Sequence, residues 1–196
     1  MNDFNLWFVT GLQHICNWRA YDHILFVATL CILFDLNEWK KLLALITAFT
    51  LGHSLTLVFS TFNFLKIPSA IIEILIPLTI IITCIHNMLF SKNSRAFNRR
   101  YYFLVLAFGL IHGMGFSYFL KSMLGSEENT IGPLFFFNIG LEVGQIIIVV
   151  FILLISLFLH KAVQLKKQTF IFVVSGITLC VALWMAIERT IILIAD

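Results

Sequence analysis

The sequence is poor in charge. Only 12% of its 196 residues are Asp, Glu, Lys or Arg, about half the share of a soluble domain. It has no CxxC pair: Cys16, Cys31, Cys84 and Cys180 lie far apart, three of them inside apolar runs, and read as small core residues. The N-terminus, MNDFNLWFVTGLQ, has no basic n-region and no small-residue cleavage site, so a cleavable signal peptide is not expected. What is abundant is apolar surface. Hydrophobic residues make up 60% of the chain and the mean hydropathy is +0.98. A soluble fold of this size has too little interior to hide that much. The solvent is therefore a bilayer, which excludes a nucleic-acid binder, a disordered chain and a secreted disulfide scaffold.

A helix needs about 20 apolar residues to cross ~30 Å of hydrocarbon. Six stretches qualify, at roughly 22–37, 40–62, 68–90, 101–123, 133–159 and 169–194. Short polar breaks separate them, among them SKNSRAFNRR (91–100), GSEENTIG (125–132) and HKAVQLKKQ (160–168). Residues 4–18 form a seventh apolar stretch, too short to span comfortably, and predict an interfacial or re-entrant helix. The expected fold is one all-α integral membrane domain, 1–196, with six transmembrane helices and that short N-terminal helix.

Orientation follows from the basic residues. The loops after spans one, three and five hold Lys40, Lys41, Lys92, Arg95, Arg99, Arg100, Lys161, Lys166 and Lys167. The other side holds only Arg19, Lys66, Lys121 and Arg189, with the acidic pair Glu127 and Glu128. The first set is expected to be cytoplasmic, which leaves both termini non-cytoplasmic. LGHSLTLVFS (51–60) and LIHGMGFSYF (110–119) are loosely alike and lie in spans of the same direction, as a parallel duplication would leave them.

An ionisable side chain inside a membrane helix costs ~2.5–3.5 kcal/mol even on the mildest scale. This chain carries many. Asp22 and His23 open span one, shortly after His14. His53 and Ser54 follow Thr47 and Thr50 in span two. Span three carries Glu73 and, on the same stripe, Asn87. His112 lies among Gly109, Gly113 and Gly115 in span four. Asn138, Glu142 and Gln145 form one polar face of span five. By topology nearly all of them collect in the outer half of the membrane, with His86 and Asn87 near the cytoplasmic end.

Neutral imidazole and carboxylate are ligands for divalent zinc, nickel, iron or copper. His23, His53 and His112 on three helices, with His14, Asp22, Glu73 and Glu142 at hand, suit a His-rich site with carboxylates as ligands or supports. Asn87, Asn138 and Gln145 read as supporting polar groups, or as simple helix-to-helix bonds. His86 reads as a packing histidine, His160 as an interfacial one, and Glu188 with Arg189 as a structural ion pair or interface anchor. The 21 phenylalanines read as lipid-facing or core residues.

At these residues the sequence resembles the HupE/UreJ family, particularly its compact second branch. The matching pieces are GLQHICNWRAYDHILF (11–26), ITAFTLGHSLTL (46–57), IEILIPLTIIITCIHN (72–87), FGLIHGMGFS (108–117) and FNIGLEVGQ (137–145). The family's usual His-x5-Asp-His spacing is here His14-x7-Asp22-His23, and His112-Gly113 is the nearest piece to its histidine-rich second motif. The resemblance implies a hydrogenase or urease accessory protein of the bacterial inner membrane with nickel-permease activity. It also implies a metalloenzyme maturation system or an outer-membrane uptake protein as partner.

Three functions are thus open. The first is a permease for nickel or another divalent metal. The second is an intramembrane zinc-dependent hydrolase facing the outer leaflet, with Glu73 or Glu142 as base and Ser54 or Asn138 holding the substrate oxyanion. The third is a non-catalytic membrane accessory subunit. Whichever holds, the cluster is expected to open to the non-cytoplasmic side, with Asn17, Arg19 and Tyr21 as a rim.

Overall fold

The computed structural model describes residues 3–18, 21–62, 64, 67–90, 99–124 and 130–195. Arg19, Lys66, Lys92, Arg95, Glu127 and Glu128, and with them parts of three expected breaks, lie outside the described residues. The helices are α1 (Asp3–Cys16), α2 (Tyr21–Cys31), α3 (Trp39–Thr61), α4 (Ser69–Phe90), α5 (Arg99–Leu124), α6 (Ile131–Lys161) and α7 (Lys167–Ala195), with a 3-10 turn at Leu36–Glu38 before α3. Long apolar runs become helices because hydrocarbon offers the backbone no outside partner, so each N–H and C=O must bond within its own segment. The runs end where turn geometry takes over. At the end of α6, Gln164 adopts a left-handed φ of 54° and the Leu165 N–H returns to the Leu159 carbonyl at 3.1 Å, which satisfies a terminal acceptor and reverses the chain.

Among the described residues four segments are long and apolar enough to cross a membrane: Leu36–Thr61, Ser69–Phe90, Ile131–Lys161 and Lys167–Ala195. Tyr21–Cys31 and the Tyr101–Ser117 stretch of α5 are shorter apolar helices. Large apolar side chains face outward along these helices, for example Phe151, Phe158, Ile177 and Ile191, each more than 60% exposed. A continuous apolar exterior of this kind belongs against lipid. The protein is an all-α polytopic membrane helix bundle.

The first expected span, 22–37, is not one helix. It stops at Cys31, because Asp35 turns extended (φ −98°, ψ 164°) and starts the 3-10 turn, its N–H meeting Glu38 Oε2 at 3.5 Å. The 4–18 segment, expected as an interfacial or re-entrant helix, is packed into the bundle. α1 packs along the N-terminal half of α6 and runs the same way, with Phe4 against Phe136 and Ile15 against Gly144. Beyond α2, Phe34 and Asp35 line a cavity with Leu153 and His160 of α6. Together α1 and α2 follow α6 from end to end.

Glycine sets the two closest helix pairs. A Cβ on Gly11 would overlap the Phe137 carbonyl and one on Gly140 the Phe8 carbonyl, so α1 and α6 touch backbone to backbone. Gly52 and Gly109 do the same for α3 and α5 through the carbonyls of Leu106 and Phe49. The alike stretches 51–60 and 110–119 are the facing surfaces of this second pair, which also runs parallel. α4 pairs antiparallel with α7, with Glu73 beside Arg189 at one end and Met88 against Gly176 at the other. Two apolar clusters result, one around Phe26, Phe49 and Phe108, the other around Trp7, Leu57, Phe137 and Leu141. Of the cysteines, Cys31 and Cys84 are buried as expected, whereas Cys16 and Cys180 are exposed.

Candidate metal centre

Between the two apolar clusters lies a layer of histidines. His14 comes from the last turn of α1 and His23 from the first turn of α2, so the break between these helices brings them side by side, ring centroids 4.8 Å apart. His53 enters from α3 at 5.8 Å from His14 and 6.4 Å from His23, and His112 from α5 at 5.2 Å from His23. The glycine contacts allow this convergence. Gly113 sits under the His53 backbone, and Gly109 under its N–H, so two histidine-bearing helices meet without side chains between them. Phe26, Phe49, Phe116 and Phe137 pack on the imidazoles from both sides.

The hydrogen bonding of this layer is incomplete. His53 is wholly buried, and neither of its ring nitrogens meets a partner among the described residues. His14, His23 and His112 each leave Nε2 buried and unpartnered as well. Stranded buried polar atoms cost about 1–3 kcal/mol each, and native proteins carry few of them. Buried imidazole nitrogens left without partners in one layer therefore call for a cation. One ligand atom each from His14, His23 and His53 lie within 4.8 Å of one another, a gap that rotamer adjustment closes onto one ion with bonds of ~2 Å. The cluster has the donor chemistry for a divalent transition metal.

Two of the rings are oriented from behind. Asp22 Oδ1 lies 2.9 Å from His23 Nδ1 and also accepts the His23 backbone N–H at 2.8 Å. That fixes the tautomer and leaves Nε2 for a metal, as carboxylates behind ligating histidines do. His112 Nδ1 donates to the Phe108 carbonyl at 2.9 Å, freeing its Nε2 likewise. An Asp22→Asn change should weaken metal affinity 10–100-fold with little effect on the fold. Competition against a chromophoric chelator measures this, and an unchanged affinity would remove Asp22 from the site.

Other residues expected at the site are elsewhere or differently engaged. Glu73 is not in the group of three whose ligand atoms gather within 4.8 Å. It is half exposed at the start of α4 and its Oε2 accepts from Arg189 Nη1 at 2.6 Å, so Arg189 pairs with Glu73, and no Glu188–Arg189 pair is seen among the described residues. Glu142 accepts the Thr47 hydroxyl at 2.8 Å, and the Ser54 hydroxyl donates to the Thr50 carbonyl at 2.6 Å. Gln145 accepts from Thr50 at 2.7 Å and so links α6 to α3. Asn87, fully buried, donates to the Thr29 carbonyl and links α4 to α2. Among the described residues Asn138 bonds only to Leu134 of its own helix. His86 stacks on Tyr101, and His160 meets Phe170 edge-on. Because an exposed ion pair contributes ~0–1 kcal/mol, Glu73→Gln should shift stability by less than about 1 kcal/mol and leave metal binding unchanged. A tenfold loss of affinity would restore Glu73 to the site.

A cavity of about 390 Å³ reaches His14, lined also by Thr10, Gln13, Asn17, Phe116, Phe119 and Met123. Of the expected rim, Asn17 lines it and Arg19 lies outside the described residues. Gln13 and Phe116 were not singled out from sequence. A lone glutamine and one phenylalanine among 21 carry no local signal.

No curated protein and no solved structure matched the chain. Residues 1–189 match the family described as HupE / UreJ protein. That match spans the histidine layer and all but the last turns of the bundle around it, and the chain belongs to the HupE/UreJ family of membrane proteins.

Proposed function

We propose that this protein carries a divalent metal ion through the inner membrane of a bacterium, nickel first and zinc second. One observation carries the reading: the stranded imidazoles gather where α1 ends and α2 begins. Discontinuous helices with a binding site at the break are the usual substrate site of secondary transporters. At 1.5 Å per residue α1 and α2 are roughly 21 and 16 Å long, each too short for ~30 Å of hydrocarbon. End to end along α6 they make one broken crossing, and α3 to α7 make five more.

The basic residues then fall mainly at the α2–α3, α4–α5 and α6–α7 ends, which makes those ends cytoplasmic and both termini non-cytoplasmic. In this orientation the cavity beside His14 faces outward and admits the ion. Asp35, Asn37 and His160 line the cavity at the other end of α2, where it leaves. A metalloenzyme maturation system on the cytoplasmic side and an outer-membrane uptake protein are the fitting partners.

The test is counterflow of Ni²⁺, Co²⁺ and Zn²⁺ in proteoliposomes, with a C-terminal reporter for orientation. Saturable counterflow supports transport. The Phe116, Phe119 and Met123 wall of the His14 cavity and the Asp22–His23 pair favour a second reading, a zinc hydrolase, and one inert zinc with no counterflow would favour it over the first. A C-terminal reporter active only in the cytoplasm overturns the orientation.

A further inference from the structure

The two glycine-locked helix pairs are copies of one another. Gly11 approaches the Phe137 carbonyl and the Leu141 N, and Gly109 approaches the Phe49 carbonyl and the His53 N. Gly140 approaches the Phe8 carbonyl and the Leu12 N, and Gly52 approaches the Leu106 carbonyl and the Leu110 N. Each of these four contacts has its mate in the other pair under a single substitution: α1 for α5 and α6 for α3. The sequence carries the same correspondence. Gly11-Leu12-Gln13-His14 matches Gly109-Leu110-Ile111-His112, and Phe137-Asn138-Ile139-Gly140 matches Phe49-Thr50-Leu51-Gly52.

The copies point in opposite directions. α1 runs with α6 and α5 runs with α3, while α3 and α6 are antiparallel, with Leu57 packed in the cluster of Leu134 and Phe137, and Leu42 and Leu45 in that of Val149 and Leu153. The relating axis is therefore perpendicular to the helices. α4 and α7, mates of each other, pack antiparallel as such an axis demands. The chain is an inverted repeat, and the likeness of 51–60 to 110–119 is a contact across it. In transporters so built, alternating access is largely the rocking or gating of one repeat against the other around a site at their interface.

The histidines do not all obey the symmetry. His14 and His112 are mates. His53 corresponds to Leu141, and His23 lies in the stretch that only the first repeat breaks. In this structure His14 sits beside the cavity and completes the group with His23 and His53. His112 stands on the other side of His23 with Nε2 buried and unpartnered. Its helix is continuous, but the point equivalent to the end of α1 falls at Met114 and Gly115, next to Gly113.

We propose that His112 is the receiving ligand of the transport cycle. The ion held by His14, His23 and His53 in this state is held by His112, His23 and His53 in the opposite-facing state, when α5 opens near Gly115. One metal–nitrogen bond breaks at His14 and one forms at His112. Both donors are neutral imidazoles, so coordination number and charge are conserved and no proton needs to move. This inference rests on the transport reading.

The experiment compares wild type, His14→Gln, His112→Gln and Gly115→Ala in proteoliposomes, with Co²⁺ as probe. Equilibrium binding, the visible Co²⁺ spectrum and counterflow are the readouts. His14→Gln should lose Co²⁺ binding and alter the spectrum. His112→Gln should keep one Co²⁺ with affinity within about threefold and an unchanged spectrum, as a residue outside the ligand set of this state, yet lose at least tenfold in counterflow. Gly115→Ala meets side-chain atoms alone, the tip of Ile76 at 3.1 Å and a methyl of Ile72 at 3.8 Å, so it folds even if His112→Gln does not. It should slow counterflow ~fivefold, the factor by which alanine favours a continuous helix over glycine, with binding unchanged. Normal counterflow in His112→Gln, or in Gly115→Ala where His112→Gln fails to fold, overturns the proposal and leaves transport standing, as does loss of Co²⁺ in His112→Gln to the extent seen in His14→Gln. Absence of counterflow in the wild type overturns both.

Discussion

Replacing His53 by leucine is expected to remove metal binding while the metal-free protein becomes no less stable. The side chain is wholly buried, and both its ring nitrogens lack partners among the described residues. Without an ion, each stranded atom costs about 1–3 kcal/mol. Leucine fills similar space and removes that cost. With an ion, the same change deletes one donor of the group within 4.8 Å. Affinity should fall by more than ~100-fold, beyond what loss of a supporting residue does. Thermal unfolding with and without metal reads both effects. At a metal concentration of 100 Kd the wild type should gain ~2.7 kcal/mol, and the leucine variant nothing. If the metal-free variant is several kcal/mol less stable than wild type, or if metal protects both alike, His53 is a structural residue.

Gly109→Val should unfold the bundle or lose most of its stability. The added Cβ would run into the Phe49 carbonyl and crowd the His53 N, both backbone atoms that cannot step aside. Overpacking a core commonly costs 1–3 kcal/mol where side chains can shift, so a clash against backbone should exceed ~3 kcal/mol. α5 must then part from α3, and the distance between His53 and His112 grows with it. Gly132 is the control, because a Cβ added there would meet no described atom within 4 Å: Gly132→Ala should stay within about 0.5 kcal/mol of wild type. The fraction folded on heating in detergent, followed by helical circular dichroism, separates these outcomes. A stable Gly109→Val protein with intact metal binding would mean that α3 and α5 can part without disturbing the histidines.

Local properties of the sequence determined the class of protein and much of its framework. Scarce charge and long apolar runs suffice for a helical membrane bundle, because hydropathy and backbone satisfaction act within a single segment. The ranges 40–62, 68–90, 133–159 and 169–194 each agree with a helix to within a few residues for that reason. The same cost of polar groups in hydrocarbon singled out His14, His23, His53 and His112. Whether such residues meet is a different kind of fact. Glu73 had the same claim as His53 on burial cost alone, yet it lies on the face of α4 that meets Arg189 of α7. The first crossing is equally non-local. The sequence separates 4–18 from 22–37, but nothing within it says that the two pieces line up along α6, because that alignment is decided by where the backbones of Gly11 and Gly140 can touch. Helix contacts through glycine depend on two surfaces far apart in the chain. So the tertiary structure alone decided which histidines share a site, which carboxylate stands behind them, and that the parallel pairs α1–α6 and α3–α5 are two versions of one contact.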